Sequence, residues 1–339
     1  MSRSKLAALF GVYSFLINTI LLFIMFFADN TIRNEMMTGG VPDATITSTY
    51  IIIAFICLAC SIISLIAYFK LGKGPDSGAR TALLVVGIVS IVPSFLFNYG
   101  AIASSVLLIL AFSLHDKAAS KPLSKKKLFG LKVLFTLQIL TLYFFDGTVQ
   151  TPMQLFATDH ASFNGLQIFI TLAFMAISLP LFILWSRKIA RQSWTFSILK
   201  NWRVWLLIIA AVALIWGSQQ LLHQIITSNS ANQAKLDVLF NKTPLFITWV
   251  MAGLAAPIME ETMFRVGFFE LLFQKHPFWA WLTGSICFAL IHTGFTDLVH
   301  FPIYFTMGLV LGAVYWRTRR VEASFMVHAL WNTLAVLLP

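Results

Sequence analysis

The chain has 339 residues, of which 58% are hydrophobic and only 11% charged, and its mean hydropathy is +0.83. A soluble domain carries about 25% charged residues, so this composition excludes a pair of soluble domains and predicts a protein embedded in a bilayer. Long apolar runs, rather than ten-residue alternation, favour spanning helices over a β-barrel. We therefore predict an all-α polytopic membrane protein.

Eleven apolar runs follow one another along the chain, and about 20 residues are needed to cross a typical bilayer core. The third, fourth and ninth runs are short for a complete span. The first follows a basic start but lacks a small-residue cleavage site, so we interpret it as an uncleaved anchor. The runs are 6–28, 49–69, 81–97, 100–114, 128–145, 165–185, 204–226, 244–274, 278–293, 300–316 and 321–338.

The net charge of +11 arises from 24 basic and 13 acidic residues, a balance that could suit nucleic-acid binding. If the N-terminus lies inside and the spans alternate, twenty basic residues fall in inner loops and only Arg33, Lys235 and Lys242 in outer loops. This bias predicts about eleven transmembrane helices oriented N-in/C-out. Orientation thus explains the basic excess, with anionic lipid contact as a smaller contribution, and we predict no nucleic-acid partner.

A basic stretch containing Pro and Ser, residues 115–127, is predicted to be a cytoplasmic linker between two parts of the chain. Residues 1–114 form a four-helix membrane module of unknown role, since its spans hold almost no ionisable residues. Residues 128–339 form a seven-helix domain, and the polar residues at membrane depth concentrate in its last spans. Cys57 and Cys60 have the spacing of a redox pair, but they lie mid-span, and we interpret them as small packing residues.

Three charges stand inside the run at 244–274, where ionisable residues are costly and indicate a functional site. Glu261 and Arg265 are four residues apart with the acid first, which is the favourable order for an ion pair within a helix. At about 100° per residue, Glu260 faces a different side of the helix, where a carboxylate suits general acid or base catalysis. The alternative is that all three charges only hold helices together.

Later spans supply two histidines and an asparagine. At 1.5 Å per residue, Glu260 lies about 22 Å and His292 about 21 Å from the inner face, so adjacent antiparallel helices would place them side by side. His328 and Asn332 are four residues apart and share one helical face, about 12 and 18 Å deep. A lone histidine in an apolar helix is more often a core residue, but the matching depths of Glu260 and His292 favour a shared site. His328 and Asn332 lie somewhat shallower, an offset that a tilted helix accommodates.

Two other features of these spans have simpler explanations. Gly308 and Gly312 form a small-x-x-x-small pattern, which predicts close approach of two helices. Glu270, His300 and Glu322 lie at or near span ends, and we interpret them as solvated at the membrane interface.

Glutamate, two histidines and asparagine converging inside a membrane suit the hydrolysis of an amide. Glu260 with His292 could deprotonate a water while His328 and Asn332 donate hydrogen bonds to the resulting oxyanion. Alternatively, Glu260, His292 and His328 could bind Zn²⁺, which would activate the water. We favour no metal cofactor, because the His-Glu-x-x-His spacing is absent and asparagine is a poor zinc ligand.

Four motifs within residues 200–339 resemble, in order and spacing, those of the CAAX protease and bacteriocin-processing (CPBP, or Abi) intramembrane endopeptidases. The motifs are Glu260-Glu261-x-x-x-Arg265, Phe288-x-x-x-His292, a Phe305, Gly308 and Gly312 stripe, and His328-x-x-x-Asn332. The resemblance implies a multi-span helical fold with an active site that opens toward the cytoplasm. It also implies cleavage of membrane-associated peptides; eukaryotic relatives remove the last three residues of prenylated CaaX proteins.

Carried over onto this sequence, the resemblance implies that Glu260 and His292 activate water and that His328 and Asn332 form the oxyanion site. The family is often labelled metalloprotease, although a metal-independent glutamate mechanism has been argued from its architecture. The resemblance gives supporting roles, structural and substrate-orienting, to Glu261, Arg265 and Phe288.

The predicted function is therefore that of an intramembrane endopeptidase, a peptide hydrolase of the CPBP type. It would be a multi-pass protein of a bacterial cytoplasmic membrane, with a membrane-associated or lipidated peptide or protein as its substrate. Two alternatives stay open. One is a non-catalytic immunity or scaffold protein of the same fold, and the other is a proton-coupled transporter that uses the intramembrane carboxylates.

Overall fold

The structure, a computed structural model, describes residues 42–71, 77–91, 163–188 and 194–337, with single residues between 5 and 40 and between 105 and 111. The chain divides into two compact units, Met1–Thr148 and Val149–Pro339. Every regular element in the described ranges is a helix, which confirms the all-α prediction. The predicted linker and the run at 128–145 lie outside the described residues, so the domain boundary there stays a prediction.

In the first unit, helix α1 (Asp43–Lys70) packs against helix α2 (Ser77–Val89). The termini of α1 carry Asp43 in the first turn and Lys70 in the last, charges that suit the helix dipole. Cys57 and Cys60 both lie on α1 as free thiols, and Cys60 is part of a buried apolar cluster. Their contacts agree with a packing role.

The second unit holds the helices that carry the candidate site. After two helices and a short one, a continuous helical segment alternates between α- and π-helical geometry, and three more helices follow. In chain order they are α3 (Gly165–Lys188), α4 (Trp202–His223), α5 (Ala231–Lys242), α6 (Leu245–Trp249), π1 (Val250–Ala255), α7 (Ala256–Glu260), π2 (Glu261–Leu272), α8 (Pro277–Thr293), α9 (Phe301–Thr318) and α10 (Val321–Leu337). Short 3₁₀ turns cover Ser197–Lys200 and Leu298–His300.

Four helical segments in the described ranges are long and apolar enough to cross a membrane: α1, α3, α4, and the turn at Leu298 together with α9. Helices α2 and α10 are apolar but shorter. On α4, Trp202, Leu206 and Ile209 lie along one side of the helix and are 65%, 55% and 60% exposed, a surface that suits lipid contact. The full count of eleven spans and the N-in/C-out orientation stay predictions.

The π-helical segment π1 creates a free carbonyl that a neighbouring helix uses. In a π-helix each N–H bonds the carbonyl five residues earlier, as Ala256 does with Met251. Pro257 has no N–H, so the carbonyl of Ala252 lacks its π-helical donor. The side-chain amide of Asn332 on α10 donates to that carbonyl at 2.8 Å instead. Helix α10 is thereby anchored to the segment that precedes Glu260.

Helices α8 and α9 approach each other closely at the predicted glycines. A Cβ on Gly308 would lie 3.1 Å from Cα of Ser285, and one on Gly312 would lie 2.7 Å from Cδ1 of Trp281. The indole N–H of Trp281 donates to the carbonyl of Leu309 at 2.8 Å, so the contact includes a hydrogen bond. The prediction of close helix approach is confirmed.

Replacing Gly308 with leucine should destabilise the second unit, because the new side chain meets the backbone of Ser285 on the adjacent helix α8. Overpacking of this kind costs about 1–3 kcal/mol. Thermal unfolding of the purified protein in detergent measures the effect. Gly217→Leu on α4 is the matched control, since a Cβ there meets nothing within 4 Å. Equal melting temperatures for the two variants would contradict the close-packing interpretation.

Candidate active site

The structure brings Glu260, His292 and His328 together from α7, α8 and α10. The carboxylate oxygen Oε2 of Glu260 lies 3.9 Å from Nε2 of His292 and 3.7 Å from Nε2 of His328. The three side chains are enclosed, with 11%, 17% and 2% of their surface exposed. The similar depths of Glu260 and His292 in the sequence predicted that the two residues lie side by side. The sequence assigned His328 to the oxyanion or, in the zinc alternative, to the metal, and the structure places this residue as near Glu260 as His292 is.

The second nitrogen of each ring has its own partner. Nδ1 of His292 donates to the carbonyl of Phe288 at 2.7 Å, and Nδ1 of His328 donates to Oε1 of Glu261 at 3.0 Å. In a neutral imidazole whose Nδ1 carries the proton, Nε2 is an acceptor. The Nε2 lone pairs of His292 and His328 and the carboxylate of Glu260 therefore face one another. Such a group of acceptors suits a donor between them, either a water molecule or a cation.

The carboxylate of Glu261 contacts both the guanidinium of Arg265 and the imidazole of His328. Its Oε2 lies 3.2 Å from Nε of Arg265, and the two side chains are 0% and 1% exposed. The ion pair predicted from the spacing is confirmed, although it forms in π2 rather than in an α-helix. Because Oε1 of the same carboxylate accepts from His328, Glu261 links π2 to α10 and fixes which nitrogen of His328 faces Glu260.

Phe288 packs against both histidines from the interior of α8. Its side chain is fully buried, and its ring centroid lies 4.6 Å from that of His292 and 5.8 Å from that of His328. The guanidinium carbon of Arg265 lies 5.0 Å from the same centroid, a cation–π contact. Phe264 adds an edge contact at 5.6 Å. The supporting position implied for Phe288 thus corresponds to an apolar wall beside the two imidazoles.

The side-chain amide of Asn332 already makes one hydrogen bond. One N–H of its amide donates to the carbonyl of Ala252, and a primary amide has a second N–H to offer. The residue therefore anchors α10 and can still act as a donor. The oxyanion role assigned to it from the sequence stays a prediction.

The interpretation of Glu322 as solvated is wrong. Its side chain is 0% exposed, and its carboxylate accepts from the backbone N–H groups of Thr195 and Phe196 at 3.0 and 3.2 Å. It also pairs with Arg320, and the hydrogen bonds to Glu322 raise the pKa of that guanidinium. Glu322 therefore ties the segment before α4 to the start of α10, the helix that carries His328.

The solvated interpretation also fails for His300, which is 5% exposed and hydrogen-bonded to Asp297 and to Ser228. Glu270 is closer to the expectation, since its side chain is 23% exposed and pairs with Arg319. One residue near the site was missed altogether: the ring of Tyr304 on α9 stacks on His292. A single tyrosine in an apolar helix has no periodicity or spacing that could have singled it out.

The residues Glu260, His292 and His328 are the alternative zinc ligands, and zinc geometry sets the distances that they would need. Zinc bonds of about 2.0 Å in a tetrahedron place neighbouring ligand atoms about 3.3 Å apart. The separations from Glu260 to the two histidines are 3.7 and 3.9 Å. In the described part of the chain, no group of three His, Cys, Asp or Glu side chains is arranged to hold a metal ion. The donor types fit zinc, and the two separations from Glu260 are about 0.5 Å wider than a bound ion would set.

The fold and the site together define a class, the helical membrane proteins that enclose a glutamate–histidine site within their bundle. Residues 241–334 match the family model described as type II CAAX prenyl endopeptidase, Rce1-like. This stretch contains all four motifs identified in the sequence. The resemblance to the CAAX proteases is therefore confirmed, and at the family level the match supports a membrane peptidase.

Individual relatives are similar over parts of their length. The putative membrane peptidase YdiL of Bacillus subtilis is 35% identical over 107 residues, 31% of this chain and 41% of that protein. The membrane-embedded CAAX protease MroQ of Staphylococcus aureus is 31% identical over 130 residues, 36% of this chain and 47% of that protein. The UPF0177 protein YaiH of Lactococcus lactis is 26% identical over 223 residues, 62% of this chain and 89% of that protein.

The chain spans 41% of the length of the first of these relatives and 47% of the second. No solved structure significantly matches it.

Proposed function

We propose that this protein is an intramembrane endopeptidase that hydrolyses a peptide bond in a membrane-associated or lipidated peptide or protein. The observation that carries the proposal is the convergence of Oε2 of Glu260 with two imidazole Nε2 atoms at 3.7 and 3.9 Å in an enclosed site. Separations of this size exceed a direct hydrogen bond and are spanned by one bridging water. The family match of residues 241–334 supports the same reaction.

In the proposed reaction, a water donates one hydrogen bond to Glu260 and the other to His292. Glu260 takes a proton as the water oxygen bonds to the carbonyl carbon of the substrate. The new carboxylic acid then gives that proton to the leaving amine as the C–N bond breaks. One proton is thus borrowed and returned, and the products are a carboxylic acid and an amine; the acid ionises to a carboxylate when it gives its remaining proton, the second one of the water, to solvent on release.

The oxyanion that forms on the substrate would accept from His328 and Asn332. The free N–H of the Asn332 amide serves directly, whereas Nε2 of His328 donates only in the protonated ring. Glu261 accepts from Nδ1 of that ring, and a carboxylate in this position stabilises an imidazolium. Aimed donors of this kind contribute about 10²–10³-fold to turnover.

The reaction proposed above uses no metal, and the separations from Glu260 to His292 and His328 are wider than those between ligands of one zinc ion. Metal analysis of the purified protein, with cleavage measured before and after chelation, tests this part. Retained cleavage after chelation supports it. Loss of cleavage that one equivalent of zinc restores would assign these residues as ligands instead.

The function as a whole is tested by comparing membrane and secreted proteins from cells that express the wild type, Glu260→Ala or His292→Ala. Peptides whose new ends require both residues identify the substrate. The variants must be present in the membrane at wild-type levels, which immunoblotting checks. Unchanged peptide ends in both variants would refute the endopeptidase, and a phenotype that survives both substitutions would favour a non-catalytic scaffold or immunity protein.

A further inference from the structure

The imidazole of His292 is held on one face by a residue that no motif singled out. The rings of Tyr304 and His292 are stacked, with centroids 4.6 Å apart and an angle of 17° between their planes. Nδ1 of His292 has a single hydrogen bond, to the carbonyl of Phe288. Because the last torsion of a histidine side chain is broad, that bond alone leaves the tilt of the ring open. The ring of Phe288 contacts the imidazole at an angle of 42°, and the nearly parallel ring of Tyr304 restricts the tilt further.

The hydroxyl of Tyr304 is anchored in turn. It lies 2.8 Å from Oγ of Ser230, and Nδ2 of Asn232 donates to it at 3.4 Å. Ser230 caps α5 by accepting from the N–H of Gln233 at 3.0 Å, so its own hydroxyl proton is available for Tyr304. Ser230 is 5% exposed, so this contact is shielded from water.

A second contact fastens the same segment to α9. His300 precedes Tyr304 by four residues; its Nδ1 bonds Asp297, and its Nε2 lies 2.9 Å from the carbonyl oxygen of Ser228. Asp297, His300 and Ser228 have the residue types of a catalytic triad. The backbone carbonyl is nearer to Nε2 than the hydroxyl of Ser228 at 3.2 Å, so this nitrogen donates a proton and is not a base. Residues 228–232 are therefore attached to the start of α9 at two points.

We propose that Tyr304 is a positioning residue for His292: its ring keeps Nε2 of the imidazole directed at Glu260, and its anchored hydroxyl keeps the ring in place. The proposal rests on the proposed function, since it assigns a role within that site. A displacement of about 1 Å at a reacting group can cost on the order of 100-fold in rate. Tyr304 therefore acts on turnover through His292.

The test uses Tyr304→Leu, which removes the ring, and Tyr304→Phe, which removes only the hydroxyl. Carbethoxylation of His292 by diethyl pyrocarbonate, followed by mass spectrometry of the purified protein, reports how well the imidazole is held. Loss of an aromatic stack should speed this modification about fivefold in Tyr304→Leu, while the rate at the exposed His276 stays constant. In Tyr304→Phe, the modification rate of His292 should remain near that of the wild type.

On the substrate that the proteomic comparison identifies, Tyr304→Leu should lower kcat about 100-fold with an unchanged KM. Tyr304→Phe should recover most of this loss and stay within about fivefold of the wild type, the value of one hydrogen bond. Phe301→Leu removes a ring from the same helix and is the control. Its ring stacks on Phe305 rather than on His292, and it should match the wild type in both assays.

Equal modification rates at His292 in the wild type and Tyr304→Leu would overturn the proposal, whatever the protease activity. So would a loss of kcat in Tyr304→Phe as large as in the Leu variant. Failure of the proposed function has a different result: Glu260→Ala would retain the cleavage of every substrate while the modification rates still respond to Tyr304.

Discussion

Replacement of Glu260 by glutamine is expected to abolish peptide cleavage, lowering kcat by about 10³-fold or more while the protein still inserts and folds. General-base catalysis contributes about 10²–10⁴-fold, and a glutamine amide cannot accept a proton from water. The substitution preserves size and keeps a polar group between His292 and His328, so packing in this enclosed site should be nearly unchanged. KM should change little, because the lost interaction is one made with the attacking water.

Cleavage of the identified substrate by purified protein in detergent or vesicles measures this effect. Glu270→Gln is a matched control on the same helical segment. Its side chain pairs with Arg319 and Tyr315, and glutamine can still accept from both. The control should retain full activity. Wild-type kcat in Glu260→Gln would refute the assignment of Glu260 as the base, and equal loss in both variants would indicate a general structural effect.

Periodicity and depth predicted the parts of the site that depend on regular helices. The close approach of α8 and α9 follows from Gly308 and Gly312, and the pair of Glu261 with Arg265 follows from their spacing. The proximity of Glu260 and His292 follows from counting along antiparallel helices. Each of these inferences needs only the rise and turn of a helix and the cost of charge in lipid.

The contacts that the sequence could not predict depend on irregular backbone or on residues distant in the chain. Two π-helical segments interrupt the run at 244–274, and apolar residues continue through them without a change in pattern. The bond from Asn332 to Ala252 exists because Pro257 removes a donor within such a segment. The stacking of Tyr304 on His292 depends on how α8 and α9 pack, and no sequence period reports that packing.

Two expectations from the sequence disagree about the side from which the site is reached. His292 is one residue from the end of α8, whereas Lys275 precedes its start, and Arg317 and Arg320 lie at the same end as Lys275. The positive-inside rule therefore places His292 in the outer half of the membrane. The family resemblance implies a cytoplasmic opening.

Arg265→Met is expected to destabilise the protein by about 3–5 kcal/mol, the cost of leaving a buried carboxylate without its cation. Glu261 would retain only the neutral partners His328 and Ser324, in a position that is 0% exposed. Methionine fills much of the volume of the arginine side chain and keeps contact with Phe288, so the loss reports charge rather than a cavity. Thermal unfolding in detergent measures it, and cleavage by the folded fraction should also fall, since Glu261 would no longer be held in place.

Adding Glu261→Gln to Arg265→Met separates stability from catalysis. With both charges gone, no uncompensated charge is left at positions 261 and 265, and replacing a whole ion pair by uncharged groups is often neutral in stability. The melting temperature should therefore return close to that of the wild type. Activity should not return, because glutamine cannot stabilise the imidazolium form of His328 as a carboxylate does. Recovery of both properties would show that the pair only supports the fold, and recovery of neither would show that Glu261 and Arg265 contribute to stability by contacts other than their mutual attraction.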